Sequence, residues 1–150
     1  MGRAGCVALV TVVLTLVLSG CGGSTGADVS STGDADDVAE QLAQTAEYHE
    51  LILLRVSEWD DLVKVANSTG RIALAGVITQ LQEVKREVAA LEIPDGLQVR
   101  RAHGYLVDHM DYTIDAFLLF MGGEPDSTVT AKFKQADAAL NNWTRALTTN

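Results

Sequence analysis

His49 and His103 are the side chains whose placement points most directly to chemistry, because each interrupts an otherwise apolar helical stripe. A neutral imidazole is the commonest protein ligand for transition metals, and two of them facing each other form the axial pair of a non-covalently held haem. Met110 and Thr113 share the stripe of His103, and Thr45 lies one turn before His49. These residues sketch a small ligand-carrying bundle for haem, a metal or an apolar molecule.

Packing is the stronger explanation. A histidine on a buried seam normally has its ring nitrogens satisfied by a hydroxyl or a backbone group, and Thr45 offers a hydroxyl. Di-iron bundles use Glu-x-x-His pairs, whereas Ala46 and Arg100 stand three residues before His49 and His103. Zinc requires three or four donors, but Val84, Val88, Trp143 and Leu147 fall at the same level on the other elements. Cys-x-x-Cys-His, the attachment sequence of covalent haem, does not occur. The expectation is therefore no cofactor and no metal, with His49, His103 and Met110 the residues to test.

Other constellations point elsewhere. Asp108, Asp111 and Asp115 recur opposite the stripe and read as an acidic solvent face, and His109 falls off the stripe, where exposure is expected. Gly-x-Ser-x-Gly and phosphate-cradling glycine loops are missing, so no residue is nominated as catalytic and a non-enzymatic role is expected. Asn67-Ser68-Thr69 and Asn142-Trp143-Thr144 match the glycosylation acceptor pattern and are read as chance.

Four segments with apolar residues alternately three and four apart must position these groups. The first seam is Val38, Leu42, Thr45, His49, Ile52, Val56, Trp59, Val63 and Ala66, ended by residues 67–70. Leu74, Val77, Leu81, Val84, Val88 and Leu91 form the second, with Pro94 expected to close it after Ile93. The third runs Val99, His103, Leu106, Met110, Thr113, Phe117 and Phe120 to a stop at Gly122-Gly123. Val129, Phe133, Ala136, Leu140, Trp143 and Leu147 form the fourth, entered through residues 124–127.

Connections this short predict an all-α, up-down-up-down antiparallel four-helix bundle over residues 34–150. The first helix should overshoot its partners by roughly ten residues, about 15 Å at 1.5 Å per residue, leaving residues 36–46 least protected. In this arrangement His49 and His103 fall on the order of 6 Å apart in height on helices facing across the axis. Leu51, Leu54, Leu62 and Val65 lie beside the first seam and predict an exposed apolar strip that docks a partner or a second copy.

Ahead of the bundle, Arg3 precedes an uncharged stretch from Cys6 to Leu18, which ends in Leu18-Ser19-Gly20-Cys21. The stretch is shorter than the ~20 apolar residues that span a bilayer. This arrangement resembles the lipobox of bacterial lipoprotein signal peptides. The resemblance implies a signal peptide over residues 1–20, cleavage at Gly20-Cys21, and acylation of Cys21 as the lipid attachment site. Residues 21–33, rich in glycine, serine and threonine, read as a flexible tether. The implied localisation is the extracytoplasmic face of the cell membrane, with the lipid anchor as the membrane partner.

Charge and cysteine content agree with that picture. The 150 residues carry 11 basic and 20 acidic side chains; without residues 1–20, which hold Arg3 and no acid, 10 basic face 20 acidic, a net −10. Such a surface repels phosphate backbones, so no nucleic-acid partner is expected. With Cys6 removed and Cys21 acylated, the implied mature chain has neither a free thiol nor a disulfide. The sequence therefore leads to a membrane-anchored interaction or accessory module of the cell envelope, with a histidine-based ligand carrier as the alternative.

Overall fold

The computed structural model describes residues 32–148, and the sites expected at Cys21 and in residues 1–31 lie outside them. The fold is an all-α four-helix bundle: α1 (Thr32–Ser68), α2 (Arg71–Ala89), α3 (Leu97–Gly122) and α4 (Asp126–Thr148). No strand occurs among the described residues. α1 is 37 residues long against 19, 26 and 23 for the others, about 56 Å against roughly 29–39 Å at 1.5 Å per residue. The excess is exposed as expected: residues 37–44 all face solvent, with Val38 at 55 % and Leu42 at 67 % exposure.

The helix ends follow local chemistry. Gly123 adopts φ 81°, a left-handed conformation that lacks the Cβ penalty only in glycine, and its N–H bonds back to Phe120 O. Pro125 O accepts from Thr128 N and Val129 N to start α4. α2 ends earlier than the sequence suggests. Ala90 N–H bonds back to the carbonyls of Arg86 and Glu87, and the chain leaves the helix there rather than at Pro94. Helical geometry is disfavoured for Ile93 because it precedes proline, and Leu91 and Ile93 pack against the core from the connection instead.

Consecutive helices pack in series, α1 on α2, α2 on α3 and α3 on α4, with the last pair the most extensive. α3 is the central helix, which explains why its buried face is wider than one stripe: Ala102, Ile114 and Ala116 are buried beside Leu106, Met110 and Phe117. The α2 seam is buried from Leu74 to Val88, while Phe120 and Leu147 lie 37 % and 42 % exposed at the bundle ends. Phe120 is covered by the Arg71 guanidinium, 4.9 Å from its ring centroid. Ion pairs join the neighbouring helices: Arg55–Glu87, Lys85–Asp111 and Lys132–Asp115. Partly exposed pairs contribute little stability individually, about 0–1 kcal/mol, but their pattern matches this helix order.

The first seam keeps Ile52, Trp59 and Ala66 buried as expected and departs at its polar position, where Tyr48 replaces His49. Tyr48 is buried at 7 % exposure, whereas His49 is half-buried. Thr45 is not a core partner either; its hydroxyl donates to Gln41 O within α1. Ile52 has a helical neighbour at both three and four residues back, so spacing fits either His49 or Tyr48. The phenol takes the inner position because it buries more apolar area and finds a polar partner there.

Candidate functional site

That partner is His103. Tyr48 Oη lies 2.9 Å from His103 Nδ1, and the histidine is 5 % exposed. Burial holds the imidazole below its ordinary pKa of 6.5 and pushes the phenol from 10.0 up to about 12, so both groups are neutral at physiological pH. A neutral ring with its proton on Nε2 accepts from the phenol at Nδ1. α1 and α3 are thus joined by a phenol–imidazole bond in the core.

His49 is displaced from the expected pairing. Its ring packs against the Tyr48 ring at a centroid distance of 5.8 Å, and the opposite contact of Tyr48 is His103 at 6.0 Å. Met110 is completely buried in the apolar core, two turns from His103, or ~10 Å along α3. Thr113 is buried and donates to His109 O one turn earlier. The sequence-level candidates are therefore not brought together as a site: the structure brings His103 to Tyr48 and leaves Met110 within the hydrophobic core.

His109 is not exposed as its position off the stripe suggested. It is half-buried between α3 and α4, and Nδ1 lies 3.0 Å from Ala136 O. A carbonyl only accepts, so Nδ1–H donates and the tautomer is fixed with the lone pair on Nε2. Ala136 permits this approach because its side chain is a single methyl, buried at 2 % exposure. Burial lowers the His109 pKa, with the Ala136 bond and the charges of Asp137 and Asp60 opposing. The Trp59 ring meets His109 edge-on at 6.2 Å, and Trp59 Nε1 is buried without a hydrogen-bond partner. Asp60 beside it is raised by burial, against the lowering influence of Lys64 and His109.

The acidic face of α3 also needs correction. Asp111 binds Lys85 of α2 and Asp115 binds Lys132 of α4, so two of its three carboxylates bracket the neighbouring helices. Only Asp108 is an exposed member of the stripe. Among the described residues no group of three His, Cys, Asp or Glu is placed to hold a metal ion. No known protein family matches this sequence, and no curated protein or solved structure is significantly similar to it.

A second locus lies on the outside of α1. Leu51, Leu54 and Val65 are 36 %, 59 % and 48 % exposed, and Leu62 is half-buried beside them. Leu54, Ser57, Glu58, Asp61, Leu62 and Val65 line an open depression of about 440 Å³. All six residues come from one face of α1, at spacings of three and four, so the depression runs along a helix face that no other helix lines. Its floor is apolar and its middle carries Glu58 and Asp61. Those acids also salt-bridge within the helix, to Arg55 and Lys64 at 2.8 Å each.

Proposed function

We propose that this chain is a membrane-anchored extracytoplasmic lipoprotein whose helical bundle is a non-enzymatic interaction module, with the outer face of α1 as its docking surface. The observation that carries the reading is the row Leu51, Leu54 and Val65, apolar and at least one-third exposed at helical spacing. The polar groups of the interior support it from the other side. Tyr48–His103 and His109–Ala136 spend their hydrogen bonds on joining α1 to α3 and α3 to α4. The Leu18-Ser19-Gly20-Cys21 sequence, about eleven residues ahead of α1, supports the lipid anchor. No helix among the described residues is long and apolar enough to cross a membrane.

Charge selects the occupant of the α1 face. Two copies packed antiparallel along it would set Glu58 of one against Asp61 of the other, a repulsive arrangement at the centre of the contact. A helix from another protein, with apolar residues flanking a lysine or arginine, matches the same face without repulsion. A photo-cross-linking residue at Leu54 in the full chain, expressed in cells, should capture one discrete partner, with Ile72 as the control. Ile72 is 99 % exposed on another helix. Equal products from both positions would refute the docking reading. The anchor is tested separately: Cys21→Ala should abolish labelling with palmitate and release the protein from membranes, and retained labelling would refute acylation at Cys21.

A further inference from the structure

α1 carries a second uncovered strip, on a different flank from the face that runs from Leu51 to Val65. Val38, Leu42, Ala46, His49 and Leu53 lie three or four residues apart, so they follow one another along one side of the helix. Leu53 is 58 % exposed, between the values of Val38 and Leu42; Ala46 is exposed and His49 half-buried. Arg55 marks the side of α1 turned to α2, through its ion pair with Glu87. Leu53, two residues earlier, stands about 160° round the helix from Arg55 and so points away from α2.

The register of the bundle explains the exposure. Tyr48–His103 and Trp59–His109 set α1 parallel to α3. α3 begins at Leu97, six residues before His103, and six residues before Tyr48 stands Leu42. α4, bonded at Ala136 to His109, ends at Thr148, level with Leu97 again. α2, whose Lys85 binds Asp111, ends sooner, at Ala89. At Val38, α1 has therefore run past the ends of the other three helices.

Charge sets what this strip can accept. Residues 32–54 hold Asp34, Asp36, Asp37, Glu40, Glu47 and Glu50 and no lysine or arginine, the next base being Arg55. Asp37, Glu47 and Glu50 form no ion pair among the described residues, because no base stands three or four positions from any of them. On the other strip, by contrast, Glu58 and Asp61 are already paired with Arg55 and Lys64. A second copy laid on this strip brings acids against acids, and an anionic lipid surface is repelled in the same way. A helix with apolar residues three and four apart and lysines or arginines on its flanks meets both the apolar strip and the unpaired carboxylates.

We propose that the strip from Val38 to Leu53 is a second docking surface, which takes a basic amphipathic helix of another protein and so continues the bundle beyond the start of α3. The proposal goes beyond the Leu51–Val65 docking face and does not depend on it, since the two strips occupy different flanks of α1.

Fluorescence anisotropy with the full chain in a non-ionic detergent tests it. The probe is a labelled helical peptide with leucines three and four apart and lysines on both flanks, and its control carries glutamates in place of the lysines. The lysine peptide should bind with a Kd on the order of 10–100 μM, and the glutamate peptide should not bind. Leu42→Ser/Leu53→Ser should weaken binding about fivefold or more, and Glu47→Gln/Glu50→Gln should weaken it and reduce its dependence on salt. Leu54→Ser/Val65→Ser, on the other strip, should have the smaller effect. All these positions are exposed, and far-ultraviolet circular dichroism confirms that the helices persist. Weakening by Leu54→Ser/Val65→Ser that equals or exceeds that by Leu42→Ser/Leu53→Ser overturns the proposal and assigns the peptide to the other strip. Equal binding of the glutamate peptide, no binding of either peptide, or a dimer in sedimentation that Leu42→Ser/Leu53→Ser abolishes also overturns it.

Discussion

Tyr48→Phe removes one hydroxyl from the core and leaves the ring in place. The lost bond is the 2.9 Å contact to His103 Nδ1, between residues only 7 % and 5 % exposed. A net hydrogen bond contributes about 1 kcal/mol, and a buried nitrogen left without its partner extends the loss to about 1–3 kcal/mol. At ~2.1 cal/mol/K of unfolding entropy per residue, a bundle of this size unfolds with roughly 0.25 kcal/mol/K, so the thermal midpoint should fall by about 4–12 °C. His103→Leu strands the phenol instead and should cost a similar amount. The double variant Tyr48→Phe/His103→Leu replaces both polar groups with apolar ones and should recover much of the loss, giving a coupling on the order of 1–2 kcal/mol. Urea unfolding of the four proteins at neutral pH measures that coupling. Additive single losses, or a Tyr48→Phe midpoint equal to the parent's, would refute the role assigned to this bond.

The same pair sets the pH dependence. Burial lowers the pKa of His103 and His109 below 6.5, so in that range the unfolded chain binds protons that the folded chain does not. Their contribution to stability is complete above the ordinary value and is lost as the pH falls through it. Tyr48 acts at the other limit: it is raised from 10.0 to about 12, the unfolded chain releases its proton first, and stability falls as the pH rises through 10. Asp60, raised by burial, favours the folded state only within the acidic carboxylate range. Tyr48→Phe should therefore reduce the alkaline loss and leave the histidine limb below 6.5 in place.

Neighbouring positions on α2 provide a sharper contrast in packing: Leu74→Ala should cost about 2–5 kcal/mol and Ile72→Ala less than about 0.5 kcal/mol in chemical denaturation, because they are 0 % and 99 % exposed. Gly123→Ala should destabilise by about 1–2 kcal/mol, since φ is 81° there, while Gly122→Ala, within the helix and with open space at its Cβ, should be neutral or stabilising. Amide hydrogen exchange should be fastest in residues 37–44 and slowest around Leu81, Leu106 and Met110, and uniform protection along α1 would contradict the exposed overhang.

The four helices were legible because their seams repeat over many turns, and a long periodic signal tolerates several misplaced residues. Gly122-Gly123 and residues 67–70 marked ends through backbone chemistry that acts locally. The overhang of α1 followed from counting residues outward from the turns. Side-chain partners were less legible. Tyr48 and His49 are both compatible with Ile52, and periodicity has no term for the hydrogen bond that draws the phenol inward. His109 looked exposed because a single stripe was assumed, whereas α3 is flanked by α2 and α4 and buries a wider arc. Asp111 and Asp115 looked solvated because their cations, Lys85 and Lys132, are distant in sequence.

The sequence by itself determined the number of helices, the glycine-marked end of α3, the acidic balance and the lipobox-like opening, since each is encoded in composition or in residues a few positions apart. Only the tertiary structure decided which polar groups meet: Tyr48 with His103 and His109 with Ala136 O. It also decided that Leu54 and Val65 remain uncovered while Trp59 and Ala66 on the same helix are buried. The physical reason is one of range. Helix formation and termination are local, but a side chain's partner depends on the rotation of its helix, and that rotation minimises the free energy of the whole core at once.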